Sequence, residues 1–188
     1  MKEFFDRFYI LINNNAPKLR ELLNPPAVEQ DFLKLEKELD INLTQDFKNA
    51  YLIHNGQEEY EGQLFDGEEW LSLNRILSEW NIWKELLDNQ TFEDNGEPYI
   101  SLPQKGIKSD WWNKKWIPFT SDGSGNHICL DLDPTEKGNY GQIIRVWHDD
   151  ATRELLANSF QEWFEDYIQK LEQGDYEYDE ESGSIIEE

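Results

Sequence analysis

Two aspartates separated by one residue, Asp131 and Asp133 in the stretch HICLDLDP, are the first side chains whose type and spacing could do chemistry. Side chains of a strand repeat every two residues, so both carboxylates lie on one face. Such a pair could hold calcium or act as a general acid and base. A calcium loop of the EF-hand type needs further ligands and a central glycine, which this spacing does not supply. We favour the alternative of a strand end, in which Asp131 accepts backbone hydrogen bonds and Asp133 begins a turn.

Ser124 in the turn Asp122-Gly123-Ser124-Gly125 is a second candidate, because a serine in a sharp turn can be a nucleophile. A nucleophile elbow needs a glycine two residues before the serine and a helix after it. Here Asp122 occupies that position and a strand-like run follows. A phosphate-binding loop would need more glycines, a lysine and a following helix. The stretch therefore predicts a β-hairpin turn, in which glycine supplies the positive φ.

The histidines and the cysteine do not form a pattern that binds metal. His54, His127 and His148 are far apart in sequence, without an HxxxH motif or a His/Cys cluster, so we expect no zinc site. His54 is placed at a helix end, where an imidazolium would interact favourably with the helix dipole. Cys129 lies between two apolar residues of a strand, which predicts a quiet, partly buried thiol. We therefore expect no metal, no cofactor and no enzymatic activity.

Trp111 and Trp112 are adjacent, and both cannot point inward from one short segment. One of them is therefore expected at the surface, and an exposed tryptophan is a residue type that anchors protein interfaces. The segments 57–69 and 88–108 and the turn at 121–126 are polar and contain glycine or proline. These loops are our candidate binding surfaces, because loops vary without cost to the core.

The charge balance restricts the class of partner. The chain of 188 residues has 17 Lys and Arg against 40 Asp and Glu, a net charge of −23. Direct binding to nucleic acid or to anionic membranes is excluded, because both need basic side chains. A basic protein partner fits this field, while the alternative is that the acidity serves only solubility.

The location of the protein is expected to be cytoplasmic. The chain has one cysteine, so it forms no internal disulfide, and a reducing compartment is the simpler assumption. Residues 1–17 lack the basic start and clean apolar core of a signal peptide. No run of about 18 apolar residues occurs, so no membrane span is expected.

Apolar periodicity and turn residues predict the elements that position these side chains. Thr44, Ser72 and Ser159 are predicted N-caps, and Asn55-Gly56 a C-cap. Helices are predicted at 3–13, 17–23, 27–40, 44–55, 72–89 and 159–174, and strands at 63–65, 69–71, 116–121, 127–132, 142–148 and 151–157. This order predicts an α+β fold: a single domain with a mostly antiparallel sheet packed against several helices. The domain is expected to cover 1–174, and the acidic segment 175–188 to be a mobile tail.

Several stretches together resemble the SUKH superfamily, specifically its Smi/Knr branch of cell-wall-assembly regulators. They are NAPKLRELLNPPA, FLKLEKELDINLTQDFKNAYLIHNGQ, WLSLNRILSEWNIWKELL and WIPFTSDGSGNHICLDLDPTEKGNYGQIIRVWHDD. The resemblance covers about residues 13–174 and implies helices packed on a mixed sheet. It carries over no catalytic residues, and it implies mostly structural roles for Trp116, Gly123, Gly125, Asp131 and Gly141.

Family members of bacteria are largely immunity proteins that neutralise a toxin domain, and fungal members regulate cell-wall synthesis and signalling. The resemblance therefore predicts a non-enzymatic protein-binding module, with an immunity protein as the leading hypothesis and a regulatory scaffold as the alternative. A metal-dependent hydrolase that uses the two aspartates is the third hypothesis. The oligomeric state is left open. The candidate partner-binding residues are Trp111, Trp112, Asp122, Ser124, Asp131 and Asp133.

Overall fold

Helices precede most of the strands, and one helix and a hairpin follow them. The computed structural model describes residues 1–59 and 61–187. The helices are α1 Lys2–Asn15, α2 Pro17–Glu21, α3 Glu29–Leu39, α4 Gln45–Tyr51, α5 Leu73–Asp88 and α6 Phe160–Gln173. The strands are β1 Glu69–Trp70, β2 Glu93–Asp94, β3 Glu97–Pro98, β4 Leu102–Pro103, β5 Trp116–Pro118, β6 Thr120–Ser121, β7 His127–Asp131, β8 Gln142–Val146, β9 Thr152–Ala157, β10 Tyr176–Asp179 and β11 Ser184–Glu187.

The central sheet has five strands in the order β4-β9-β8-β7-β5. All neighbours are antiparallel except β4 and β9, which run parallel. Ile128, Arg145 and Glu154 lie side by side in register on three adjacent strands, so they share one face of the sheet. The α+β prediction with a mostly antiparallel sheet is confirmed.

Capping hydrogen bonds explain where helices α5 and α6 begin. The Ser72 hydroxyl accepts a hydrogen bond from the backbone amide of Arg75, and the Ser159 hydroxyl accepts one from the amide of Glu162. The Glu162 carboxylate accepts from the amide of Asn158, one residue before the expected partner of a capping box. Helix α6 ends at Gly174, which adopts a left-handed conformation.

Aromatic side chains join the helices to the sheet in one core. Phe5 of α1 packs 4.9 Å from Phe164 of α6, measured between ring centroids, and stacks on Trp70 at 5.9 Å. Phe119, which follows β5, contacts Trp163 of α6 at 4.9 Å. Edge-to-face and offset pairs of this kind add to the burial of each ring. The core therefore continues from the N-terminal helices to the sheet, as in a single domain.

The structure agrees with the predicted N-cap position of α4 and corrects the predicted C-terminal end of the same helix. Thr44 occupies the N-cap of α4, but its side chain makes no capping hydrogen bond and its hydroxyl is buried without a partner among the described residues. Helix α4 ends at Tyr51, before the predicted C-cap. The Asn55 side chain instead accepts a hydrogen bond from the amide of Leu73 at 2.9 Å, and Gly56 has a φ of +69° beside the backbone of Ser72. These two residues join α4 to the start of α5.

The C-terminal segment differs from the predicted mobile tail. Strands β10 and β11 form an antiparallel hairpin, and Ile185 is buried. The Ile185 amide donates to the carbonyl of Gln63, and its carbonyl accepts from the amide of Gly67. A count of acidic residues missed this hairpin because its docking depends on contacts with residues that are distant in the sequence, such as Gln63 and Gly67.

Candidate protein-binding surface

Asp131 is a buried hydrogen-bond acceptor at the end of β7. Its side chain is 0% exposed. One carboxylate oxygen accepts from the amide of Asp133 at 2.9 Å, and the other accepts from Nε2 of Gln142 at 2.7 Å. Gln142 also donates to the carbonyl of Gly106, so the carboxylate ties the ends of two strands to the loop before β5. The strand-end interpretation is confirmed. Asp131 was also predicted as a partner-binding residue, and its burial disfavours direct contact of the carboxylate with a partner.

The two aspartates have different environments. Burial raises the pKa of Asp131 to about 6, although hydrogen bonds from Asp133 and Gln142 oppose the shift. Asp133 is half-buried, and its carboxylate accepts from Lys108 Nζ at 2.6 Å and Asn113 Nδ2 at 3.0 Å. These hydrogen bonds outweigh burial and lower the pKa of Asp133. Its carboxylate therefore holds two neighbouring side chains in a local network.

The carboxylate of Asp122 stabilises the hairpin turn by accepting hydrogen bonds from within it. This carboxylate accepts hydrogen bonds from the amide of Ser124 at 2.8 Å and from the side-chain amide of Asn126 at 2.7 Å. Although burial opposes the shift, these bonds lower the pKa of Asp122. Ser124 lies exposed at the tip of the turn.

A cavity of about 560 Å³ beside the turn is lined by Glu69, Arg75, Glu79 and Asp122, among others. Arg75 forms ion pairs with both of those glutamates.

The histidines do not come together. His54 donates from Nδ1 to the carbonyl of Asn24 and accepts at Nε2 from the Tyr9 hydroxyl, both at 2.6 Å. Burial lowers the pKa of His54, so the predicted imidazolium at a helix end is wrong and the ring is neutral. His127 is buried with its Nε2 4.0 Å from a Glu79 oxygen, and His148 is exposed. In the described part of the chain, no three His, Cys, Asp or Glu side chains form a group that could hold a metal ion.

Cys129 is buried in β7, an interior strand of the sheet. Burial raises the pKa of its thiol far above the ordinary value. A thiol in this environment stays protonated and is a poor nucleophile. Cys129 therefore serves as a small core residue.

The structure places the two adjacent tryptophans differently. Trp112 is buried and stacks on Trp83 of α5, with ring centroids 5.9 Å apart and an interplanar angle of 14°. This burial disfavours the predicted partner-binding role of Trp112. Trp111 is half-buried at the surface and packs edge to face on Tyr99 at 5.6 Å.

Trp111 belongs to an exposed apolar patch at the β4 edge of the sheet. Ile100 is 67% exposed and Leu102 is 73% exposed, although both are large aliphatic residues. We call Tyr99, Ile100, Leu102 and Trp111 the Trp111 patch. A cavity of about 300 Å³ beside it is lined by three of these residues and by Phe92. Contiguous apolar surface of this kind marks interaction sites in otherwise charged proteins.

Arg153 of β9 holds the Trp111 patch in place. It is fully buried and donates to three backbone carbonyls, those of Asp150 at 2.7 Å, Thr152 at 2.6 Å and Trp111 at 2.6 Å. Its guanidinium carbon lies 5.1 Å from the Trp111 ring centroid. Burial lowers the pKa of Arg153 to about 10, so it stays charged at neutral pH. Sequence reasoning missed this residue, because an arginine in a short strand usually faces solvent.

Within residues 1–59 and 61–187, no helix combines the length and the apolar content needed to cross a membrane. A family model described as the SMI1 / KNR4 family (SUKH-1) matches residues 26–166.

Curated relatives of the chain are fungal proteins. It is 24% identical to the cell wall assembly regulator SMI1 of Saccharomyces cerevisiae, over 87% of this chain and 39% of that protein. It is 25% identical to a glucan synthesis regulatory protein of Neurospora crassa, over 91% and 38%. It is 27% identical to the cell wall biosynthesis/cell cycle regulator smi1 of Schizosaccharomyces pombe, over 85% and 34%. The chain spans between a third and two fifths of these relatives. By its match over residues 26–166, the chain belongs to the SMI1/KNR4 family (SUKH-1).

Proposed function

We propose that the chain is a non-enzymatic protein-binding module that regulates cell-wall synthesis or the associated signalling through endogenous protein partners. Family membership and the names of three fungal relatives support the regulatory class. The burial of Asp131 and Cys129 speaks against a catalytic role for either side chain. A regulator of this kind acts by bringing proteins together or by blocking their surfaces.

The observation that carries the proposal is the exposure of the Trp111 patch. Burying Ile100 and Leu102 against a partner would contribute about 1.5 to 3 kcal/mol for each side chain. Trp111 adds an aromatic anchor of the type found at interface hot spots. Arg153 already holds the Trp111 backbone by a hydrogen bond. Ordering this backbone on binding therefore costs little conformational entropy.

An immunity protein is the second candidate, and the net charge of −23 is what favours it. A toxin domain that cleaves nucleic acid has a basic cleft, and an acidic protein would be steered to it and occlude it. Binding of this kind weakens when salt screens the encounter. A basic partner is part of this proposal, whereas the regulatory proposal requires only an apolar contact surface.

The test is a pull-down with the tagged full chain from its native cells, with partners identified by mass spectrometry at low and high salt. The Ile100→Ser/Leu102→Ser variant removes the two exposed aliphatic side chains of the patch. The matched control is Ile10→Ser/Leu33→Ser, which removes two aliphatic residues that are exposed elsewhere. We expect wall-synthesis or signalling proteins that the patch variant loses and the control retains.

One result would count against the regulatory function, and another would count against the Trp111 patch as its contact surface. A single basic toxin domain that is lost at high salt would favour the immunity function. Equal capture by the patch variant and the control would mean that the Trp111 patch is not the contact surface. Thermal melting of both variants checks that neither loses partners through unfolding.

A further inference from the structure

A second concave surface lies on the face of the sheet opposite to Cys129. Its sheet side includes Ile128, Arg145 and Glu154, which are in register on three strands. Helix α6 forms one wall, and Tyr176 and Glu187 of the C-terminal hairpin line it as well. The space is about 600 Å³. We call it the α6 groove.

Aromatic side chains line the α6 groove; Trp147 and Tyr176 are half-buried, whereas Trp163 and Tyr167 are buried. Trp163 and Tyr167 of α6 stack with an interplanar angle of 12°, and Tyr176 lies 5.2 Å from Tyr167 between ring centroids. Trp147, directly after β8, lines the groove from the sheet side and is half-buried. The accessible parts of Trp147 and Tyr176 can contact the methylene stems of long side chains, and the faces of such rings attract cations.

The α6 groove is rich in acidic side chains. The five acidic residues that line it are Asp66, Glu154, Asp166, Asp175 and Glu187. Among the residues that the structure describes, none of the five forms an ion pair.

Two cations also line the groove, but each is engaged. Arg145 pairs with the buried Glu68, and its guanidinium carbon lies 5.0 Å from the Trp147 ring centroid. Lys170 Nζ lies 5.6 Å from the Tyr176 ring centroid. The groove therefore combines aromatic surface with uncompensated negative charge, and it already holds one lysine against an aromatic ring.

We infer that the α6 groove binds an extended segment of a partner protein that carries Lys or Arg side chains. The stems of these side chains would pack on the rings, and their charged ends would reach the unpaired carboxylates. An acidic segment would be repelled, and so would a second copy of this chain, which carries the same charge of −23. This inference rests on the proposed protein-binding function and adds the class of ligand and its location.

The test uses a fluorescein-labelled octapeptide of alternating Arg and Ser, with a Glu/Ser octapeptide as the negative probe. Binding to the full chain is measured by fluorescence anisotropy at 0.15 M salt, where the screening length is about 8 Å. We expect Glu154→Gln/Asp166→Asn to weaken binding of the Arg/Ser peptide at least about fivefold. The control Glu29→Gln/Glu38→Gln makes the same change in net charge on α3, which contributes nothing to the groove, and should change binding less than about twofold.

A third variant tests the aromatic surface without changing the charge. Trp147→Leu should weaken binding about threefold, because it removes a ring face but no carboxylate. Equal weakening by the groove pair and the α3 pair would overturn the inference, since binding would then follow the overall charge. Failure of the wild-type chain to bind the Arg/Ser peptide would overturn it as well.

This experiment separates the groove from the proposed function. If the peptide does not bind while the pull-down still depends on the Trp111 patch, only the groove inference fails. If the peptide binds in the groove while the patch variant captures the same proteins as its control, the patch fails and the groove stands. Thermal melting of each variant excludes loss of binding through unfolding.

Discussion

Replacing Asp131 with asparagine should remove a loss of stability that the wild-type protein undergoes as the pH rises. Burial raises the pKa of this carboxyl from 3.8 to about 6. The folded state therefore holds a proton that the unfolded chain releases at lower pH. The contribution of Asp131 to stability is fully present below about pH 4 and is lost as the pH rises through about 6.

The magnitude follows from the shift of about two pKa units. At about 1.4 kcal/mol per unit, the full loss is about 3 kcal/mol, of which about 2.4 kcal/mol falls between pH 4 and pH 8. The sequence pI of 4.3 makes the acid end unsuitable for solution work, because the net charge vanishes there. Between pH 5 and pH 7.5 the expected loss is about 1.4 kcal/mol, close to half of the total.

The assay is urea unfolding of the wild type and of Asp131→Asn at several pH values between 5 and 7.5. The free energy of unfolding of the wild type minus that of the variant should fall by about 1.4 kcal/mol across this range. Asp133→Asn is the comparison: the pKa of Asp133 is lowered, so its own titration lies at lower pH. Its difference should change much less across this range, by only the part of the Asp131 shift that the Asp133 charge causes. A flat or rising difference for Asp131→Asn would refute the reasoning, because the hydrogen bonds to the carboxylate would then outweigh its burial.

Three further predictions concern stability and are checked by urea unfolding. Arg153→Met leaves three carbonyls without their donor and should cost about 2 to 4 kcal/mol; a neutral result would mean that water replaces the guanidinium. Ile185→Ala should cost about 2 to 4 kcal/mol, but Ile186→Ala, which is 38% exposed, less than about 1; equal small losses would indicate that the hairpin does not pack. Gly56→Ala should cost more than Gly123→Ala, because both have positive φ but only the first Cβ meets backbone atoms within 3 Å; a reversed order would contradict this packing.

Local patterns predicted the long elements of this fold well. Helix α5 begins after Ser72 and α6 after Ser159, as their capping residues and apolar spacing indicate. A helix start depends on side chains within one turn, so the sequence carries that information directly. The strands around the glycine turn at 121–126 were predicted for the same reason, since alternation and turn residues are local signals.

The candidate surface was predicted only in part. The sequence indicated that one of two adjacent tryptophans faces solvent, but the choice of Trp111 depends on how Trp112 stacks on α5. The exposure of Ile100 and Leu102 cannot be read from a segment whose polar and proline residues indicate only a loop. Asp131 was expected at the surface, although the same alternation is compatible with a strand buried on both faces.

Composition, periodicity and capping by themselves determined the α+β class, the main helices and strands, and the acidic character of the chain. Only the tertiary structure decided that Asp131 is buried, that Arg153 supports the Trp111 patch and that Ile185 docks the C-terminal hairpin. Arg153 donates to a carbonyl 42 residues away in the sequence. Ile185 hydrogen-bonds to Gln63, which lies in the first half of the chain. Burial and partner choice depend on segments that are distant along the chain, and no local pattern encodes which of them will meet.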